Sequence, residues 1–483
     1  MFFGRKKEIE SLMELWDKPG TSLVVCRGRR RIGKSTLIEE FARVSDASLL
    51  KFEGIAPREG MTNMLQLEAF GRQLGEQTKG GAIRPASWFD AFKALDARLR
   101  RRNRTVVLLD EISWMGKYDP TFPGELKYAW DNRFKKHPNY IFVVCGSVSS
   151  WIAANIVNST AYFGRISRDL IVGELPLLDA VKFWGSKVSR LSIREITDVL
   201  SVTGGVPKYL EDVNPSLSAE ENIRRLCFRS DGQLFSDFHE IFNSVFGEST
   251  MAKKSVLQAL ADKPMSCSEI AVKLGIMRGG NLDRNLKDLE TAGFVAKDGG
   301  LNPETGKTAR ADRYRLRDNY TRFYLKYIEP HEKQIARGGF EGISLEGLPE
   351  WSTVMGLQFE NLILNNVGEL LPFLHLEHVP VLSASPFRKV DSRRGGCQID
   401  LLLQTRKSVY VIEIKRKLEI GEEVEKDVAN KVSRLSIPSG KSVRTALVYE
   451  GNLHPVVKAN AYFDALVDVA SLMGLQSDRF HSI

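Results

Sequence analysis

Cysteine is scarce and never clustered: Cys26, Cys145, Cys227, Cys267 and Cys397 are the chain's five, far apart and without a CxxC pair. That pattern excludes a disulfide framework and a zinc knuckle, so reduced thiols are expected. No run approaches the roughly 20 apolar residues of a membrane span, and the opening MFFGRKKEIE lacks the apolar stretch of a secretory signal. A cytoplasmic chain with no membrane partner is the expectation. The shortage of apolar residues that marks disorder is also missing, since 43% of residues are hydrophobic and 27% charged. At 483 residues the chain is too long for one core, and roughly 100 to 200 residues per domain implies three or four units. Lys plus Arg number 69 against 60 for Asp plus Glu, a net charge of +9 and a pI near 9.1. That excess suits a polyanionic partner and equally suits a solvated basic surface.

The stretch TSLVVCRGRRRIGKSTLIEEFAR reads as a short apolar strand, a glycine-bounded loop and an amphipathic helix. It fits G-x-x-x-x-G-K-[ST] at Gly28, Gly33, Lys34 and Ser35. Glycines let the backbone close tightly so that its N–H groups surround phosphate oxygens, and the helix N-terminus adds partial positive charge. The set expected to bind the nucleotide is Gly28, Arg31, Ile32, Gly33, Lys34, Ser35 and Thr36, with Lys34 reaching the β and γ phosphates and Ser35 holding Mg²⁺. Downstream, RTVVLLDEISWM is a buried strand that delivers Asp110 and Glu111 at its end, the Walker B arrangement. Asp110 is placed to hold the Mg²⁺ shell and Glu111 to orient or deprotonate the attacking water. A third apolar strand, NYIFVVCGSVSSWI, ends in Gly146 and Ser147, where a small hydroxyl can sense the γ-phosphate.

These segments, with FFGRKKEIESLMELW, YFGR, LPLL and TGGVPKYL, follow one another as in the archaeal-type ATPase family of STAND and AAA+-like P-loop proteins, which residues 1 to about 215 resemble. YRLRDNYTRFYLKYIEP extends the likeness to about residue 330. The resemblance implies ATP and Mg²⁺ as cofactors, Ser147 as a sensor, Arg165 as an arginine finger, the turn at Pro207 as a lid segment near adenine, and Gly4 with Arg5 at the base-binding edge. That family departs from many AAA+ machines in lacking a clear hexamer signature. Whether Arg165 acts within the chain or across a subunit interface is therefore open, and with it a homo-oligomer or a protein partner.

Between about 250 and 325 the pattern changes to short amphipathic helices and a basic ribbon. SCSEIAVKLGI and NLDRNLKDLETAGFV read as two helices joined around Gly279 and Gly280. In the second, Leu282, Leu286 and Leu289 bury one face and leave Arg284 and Lys287 on the other. With the Gly-Gly and Thr-Gly turns that follow, this is a winged-helix outline. Arg284 on the second helix and Lys307 and Arg310 on the wing would approach DNA. The next stretch, HEKQIARGGFEGISLEGLPE, reads as a polar connector.

IDLLLQTRKSVYVIEIK, residues 399–415, reads as a hairpin with charges inside it. If Gln404 faces Val409, antiparallel pairing sets Asp400 opposite Glu413. Alternation then puts Glu413 and Lys415 on one face and Ile412 and Ile414 on the other. Like charges facing each other are destabilising and need a compensating cation. A divalent ion held by Asp400 and Glu413 meets that need, and Lys415 neutralising the pair on a solvated face meets it too. The helix WSTVMGLQFENLILNN, the hairpin and the strand RTALVYEG together resemble the PD-(D/E)XK nuclease superfamily core, with Ile399 where a proline often stands. That likeness implies Glu360, Asp400, Glu413 and Lys415 as catalytic residues, with Mg²⁺ or Mn²⁺.

The expected fold class is α/β: a P-loop NTPase parallel sheet with a helical lid, a winged helix, and a C-terminal α/β restriction-endonuclease-like domain. Expected boundaries are 1–175 for the ATPase core, 176–248 for the helical lid and linker, 249–330 for the winged helix, 331–352 for the connector and 353–483 for the nuclease-like domain. The expected function is ATP hydrolysis coupled to DNA cleavage, in mobile-element or defence biology. The alternatives are an ATP-dependent DNA-binding regulator whose last domain is not catalytic, and an AAA-type protein remodeller.

Overall fold

Five runs rich in branched apolar residues build one parallel sheet: β1 (Ser22–Gly28), β2 (Ser48–Glu53), β3 (Thr105–Asp110), β4 (Tyr140–Ser147) and β5 (Ile166–Val172), in the order β2-β3-β4-β1-β5. The structure, a computed structural model, describes residues 2–99, 104–147, 150–246, 250–307, 313–389 and 396–476. The chain divides into two compact units, Met1–Glu174 and Leu175–Ile483, and this sheet belongs to the first. A parallel sheet must be covered on both faces, which is why β3 is buried along its whole length. Helices α1 (Lys6–Trp16) and α2 (Lys34–Val44) pack together with the Trp16 and Phe41 rings edge to face, 5.7 Å apart. The opposite face gathers Val25, Val107 and Phe142 with Phe70, Trp88 and Phe92 from the intervening helices.

The second unit opens with helices, among them α3 (Ile193–Thr203), whose N-cap Ser192 accepts the Glu195 N–H. The short α4 (Pro207–Glu211) starts at Pro207, a residue suited to the first helical turn because it has no N–H to satisfy there. Next come α5 (Thr250–Leu260), β6 (Met265–Ser266), α6 (Cys267–Leu274), α7 (Gly280–Thr291), β7 (Val295–Asp298) and β8 (Arg313–Leu316), with the strands in the antiparallel order β6-β8-β7. A capping box between Ser266 and Glu269 starts α6, and Gly275 in the left-handed region, φ 63°, ends it. On α7 the Leu282, Leu286 and Leu289 stripe is buried while Arg284 and Lys287 stay exposed. The stretch expected as a polar connector is folded: Phe340 stacks on Phe228 at 4.7 Å, and Ile335 and Leu345 are buried.

Helix α8 (Trp351–Asn365) precedes a second five-stranded sheet of β9 (Val381–Lys389), β10 (Cys397–Thr405), β11 (Ser408–Ile420), β12 (Ser442–Leu453) and β13 (Ala465–Asp468), ordered β13-β12-β11-β10-β9. β10 and β11 form a hairpin whose turn is held by Thr405 Oγ1, which accepts the Lys407 and Ser408 N–H groups. β11 runs parallel to β12, and α9 (Glu423–Ser433) makes the crossover that parallel pairing requires. All five cysteines are buried free thiols. Among the described residues no helix is long and apolar enough to cross a membrane.

Candidate functional site

Strand register brings the first set of residues together. Gly28 and Ser147 are partners at the carboxyl ends of β1 and β4, and Asp110 ends the adjacent β3. The crevice outside the carboxyl ends of parallel strands is where such sheets bind ligands. Gly28 must be glycine, since a Cβ there would sit 2.4 Å from the Val172 carbonyl oxygen. Gly33, φ 84°, turns the loop into the N-terminus of α2, and Arg31 is likewise left-handed at φ 69°. The Ile32 side chain is in the core, and Thr36 is exposed. The buried Lys34 donates to the Arg29 carbonyl at 3.1 Å, a main-chain acceptor that phosphate oxygens can replace.

The Ser35 hydroxyl donates to Asp110 Oδ2 at 2.5 Å, so the two oxygens expected around Mg²⁺ are already adjacent. Glu111 is mostly buried, and burial pushes its carboxyl pKa up, with the nearby Lys34 charge opposing. Its Oε2 has no hydrogen-bond partner among the described residues. An acceptor held in that state fits a water that must be oriented. The donor set therefore fits a magnesium nucleotide: Ser35 and Asp110 for the ion, the loop and Lys34 for phosphates. Lys51 on β2, which motif reading missed, lies 3.8 Å from Asp110 Oδ2 and 2.9 Å from Glu39. Its signal was a lone cation within the apolar run SLLKFE.

Within the chain Arg165 sits away from the phosphate loop. It immediately precedes β5, whose Ile166 pairs with Leu23, whereas the phosphate loop leaves β1 after Gly28. Five residues of extended strand separate those ends, roughly 17 Å. Arg165 also hydrogen-bonds both oxygens of Asp131, at 2.8 and 2.9 Å, and this pairing holds the Asp131 carboxyl well below its usual range. Arg5 is buried with its guanidinium on the Ile32 and Gly173 carbonyls, at 3.0 and 2.6 Å. It clamps the phosphate loop's own backbone. Pro207 lies in the second unit, at the start of α4.

The second set lies on β10 and β11. The observed pairs Leu401–Ile412, Leu402–Val411, Leu403–Tyr410 and Gln404–Val409 are those of the expected register. Past Leu401 the ladder opens, and Asp400 Oδ2 accepts the Ile414 N–H at 3.0 Å. Asp400, Glu413 and Lys415 line one cavity of about 360 Å³. Glu413 is fully buried, with Lys415 Nζ 2.7 Å from one oxygen and Lys431 Nζ 2.5 Å from the other. Burial, then the Glu413 charge, raises the Asp400 pKa to about 6. For Lys415, burial opposes the charge, but its pairing with Glu413 outweighs that and the ammonium pKa rises. Lys431 was missed in the sequence, although Asp427, Asn430 and Lys431 on α9 and Arg434 just after it recur at helical spacing and line the same cavity.

Glu360 does not line that cavity, although the Asp400 and Glu413 charges both act on it. It lines a neighbouring cavity with Leu357, because the phase of α8 is fixed elsewhere. Gln358 accepts from Arg322 at 2.9 Å and donates to the Asn319 carbonyl at 2.7 Å, and Asn361 bonds Arg315 and the Arg317 carbonyl. Burial, then the Asp400 charge, raises the Glu360 pKa to about 7. Among the described residues no three His, Cys, Asp or Glu side chains are grouped to hold a metal. Two carboxylates remain, which fits Mg²⁺ or Mn²⁺ completed by water and phosphate. On the three-stranded module Lys307 is exposed, and Arg310 lies outside the described residues.

Residues 2–213 match the family described as an ATPase domain predominantly from Archaea. An uncharacterized protein of Methanocaldococcus jannaschii is 23% identical over 383 residues, covering 78% of this chain and 81% of that one. An uncharacterized ATP-binding protein of the same organism is 44% identical over 41 residues, covering 8% of this chain and 70% of its own. Among solved structures, the Walker-type ATPase PABY2304 of Pyrococcus abyssi aligns at 15% identity over 67% of this chain and 96% of that one, with a TM-score of 0.48.

Proposed function

We propose that the chain hydrolyses ATP in its first unit and, in its second, holds DNA and cuts it. Support for the ATPase half is the Ser35–Asp110 contact beside the partnerless oxygen of Glu111. Lys34 would exchange the Arg29 carbonyl for the β and γ phosphates, and Glu111 would orient the attacking water or take its proton. Ser147, beside Gly28 in the register, would sense the γ-phosphate. Ser35 and Asp110 would hold Mg²⁺.

The observation that carries the cutting half is the convergence of Asp400, Glu413 and Lys415 on one cavity. Asp400 and Glu413 would hold Mg²⁺ or Mn²⁺, which supplies Lewis-acid polarisation of a phosphodiester oxygen. Lys415 would stabilise charge growing on that phosphate, and the Lys431 and Arg434 side chains would hold the neighbouring backbone. The helix, strand, helix, helix, strand, strand order of residues 250–316 supports reading that module as a winged helix, with exposed Arg284 and Lys287 toward DNA. Mobile-element or defence biology suits such a pairing.

The test compares cleavage of plasmid and linear DNA, with Mg²⁺ or Mn²⁺ and with or without ATP, by the native chain, Glu413→Ala and Lys34→Ala. Native protein should cut, Glu413→Ala should not, and Lys34→Ala should lose any ATP response. Equal nicking by all three overturns the reading.

One observation favours a regulator with a non-catalytic end domain. Lys415 and Lys431 already neutralise both oxygens of Glu413. Under that reading divalent ions leave the melting temperature of a Lys34→Ala chain unchanged, whereas a cutting site predicts a rise.

A further inference from the structure

A second cavity of about 250 Å³ adjoins the carboxylate pair, and Gln398 lines both. Its apolar lining comes from Leu357, Pro386 and the half-buried Phe387, and Glu360 also faces it. Lys263 and Arg388, both exposed, complete the rim. The walls are fixed before any ligand arrives. The Leu301 N–H donates to Ser383 Oγ at 3.1 Å and Gln404 Nε2 to the Leu301 carbonyl at 2.5 Å, tying the segment after β7 to the second sheet. Arg315 is held by Asp298 at 3.0 Å, and Arg313 by Glu269 at 3.1 Å. Two of the four cations lining the cavity are thus spent in ion pairs. Lys263 and Arg388 have neither an ion pair nor a hydrogen bond among the described residues.

Drug-sized pockets start at about 300 Å³, so this cavity suits something smaller. A nucleobase is flat, apolar on its faces and polar at its edge, and the phosphates beside it are anionic. An aromatic ring, a carboxyl group and two unpaired cations around one cavity match those three properties together. A base within a duplex is stacked between its neighbours and cannot enter. We infer that this cavity takes one unpaired nucleotide of a DNA strand, the base on Phe387 with Glu360 at its edge, and the flanking phosphate against Lys263 and Arg388. The adjoining phosphate then lies at Asp400 and Glu413. This rests on the proposed cutting reading only for the role of that neighbouring site.

Fluorescence anisotropy on the full chain in EDTA tests it without cleavage, using labelled oligothymidylate and a blunt hairpin duplex. The single strand should bind more tightly than the duplex. Phe387→Ala should weaken the single strand by roughly five- to 150-fold, the range for losing one stacked base, and leave the duplex unchanged. Phe387→Tyr, which keeps the ring, should bind as the native chain does. Lys263→Ala, at an exposed position, should weaken the strand and flatten its salt dependence. Native-like strand binding by Phe387→Ala and Lys263→Ala overturns the inference, and so does an equal loss on strand and duplex. Should Phe387→Ala not fold, Lys263→Ala decides alone. Absence of cutting with Mn²⁺ alongside ring-dependent strand binding removes the nuclease reading and leaves this one standing.

Discussion

At Glu111 backbone and burial act together. The chain leaves β3 through a left-handed residue, φ 48°, a conformation that non-glycine residues adopt at a cost, and this turns the side chain inward beside Lys34. A glutamate kept there to handle a proton should be separable from binding. Glu111→Gln is expected to bind nucleotide as the native chain does while phosphate release slows about a hundredfold or more. Fluorescent-nucleotide titration and steady-state phosphate release check the two halves, and unchanged turnover removes Glu111 from the chemistry. Glu360 and Asp400 make a different prediction. Their folded pKa values, about 7 and about 6, lie above the value near 4 of an unfolded carboxyl. The native state therefore binds more protons than the unfolded chain between pH about 4 and 7, and metal-free stability must fall as pH rises through that window. Glu360→Gln should flatten the fall by on the order of 2 kcal/mol, read from denaturant melts at pH 5 and 8. A native-like slope in that variant sinks the assignment.

Among elements, the hairpin of β10 and β11 was readable because a period of two and a short polar turn leave one register, and a single slip would reverse every side chain. The leucine stripe of α7 was readable for the same reason at the helical period. The phase of α8 was not. Gln358 and Asn361 look solvent-facing in a sequence, yet both are buried against Arg322, Asn319 and Arg315, partners 36 to 46 residues away. Only those distant partners decide which of the helix's polar residues are buried. The place of Arg165 was not legible for a related reason: motif order says which strands follow, while parallel pairing decides which end of the sheet a residue occupies. For α7 the burial pattern gives a direct prediction. Arg284→Ala and Lys287→Ala should each lower the slope of log affinity against log salt for duplex DNA by about 1. Both side chains are exposed, so melting should move by less than about 0.5 kcal/mol. Filter binding across a salt series reads the slope, and unchanged slopes in both variants take this helix off the DNA.

At the scale of the whole molecule, three strands of the first sheet and its phosphate loop were legible because glycines, a lysine and strand-ending acids have few other reasons to recur in that sequence. The second centre is harder to read, since its chemistry rests on two carboxylates that lysines can also satisfy. The two proposed centres would take different ligands, and the residues of each lie wholly within one unit. A ligand that binds only the folded state stabilises it by about 2.7 kcal/mol at a hundredfold excess over its dissociation constant. Differential scanning of the full chain should therefore separate them by ligand. ATP with Mg²⁺ should raise a transition that Lys34→Ala no longer raises. Mn²⁺ without nucleotide should raise one that survives Lys34→Ala and disappears in Glu413→Ala. The Mn²⁺ response should also grow from pH 5.5 to 8, because the ion competes with the protons that Asp400 retains near pH 6. A Mn²⁺ shift of equal size in Glu413→Ala would assign the ion to some other site and leave Asp400 and Glu413 as a lysine-neutralised pair.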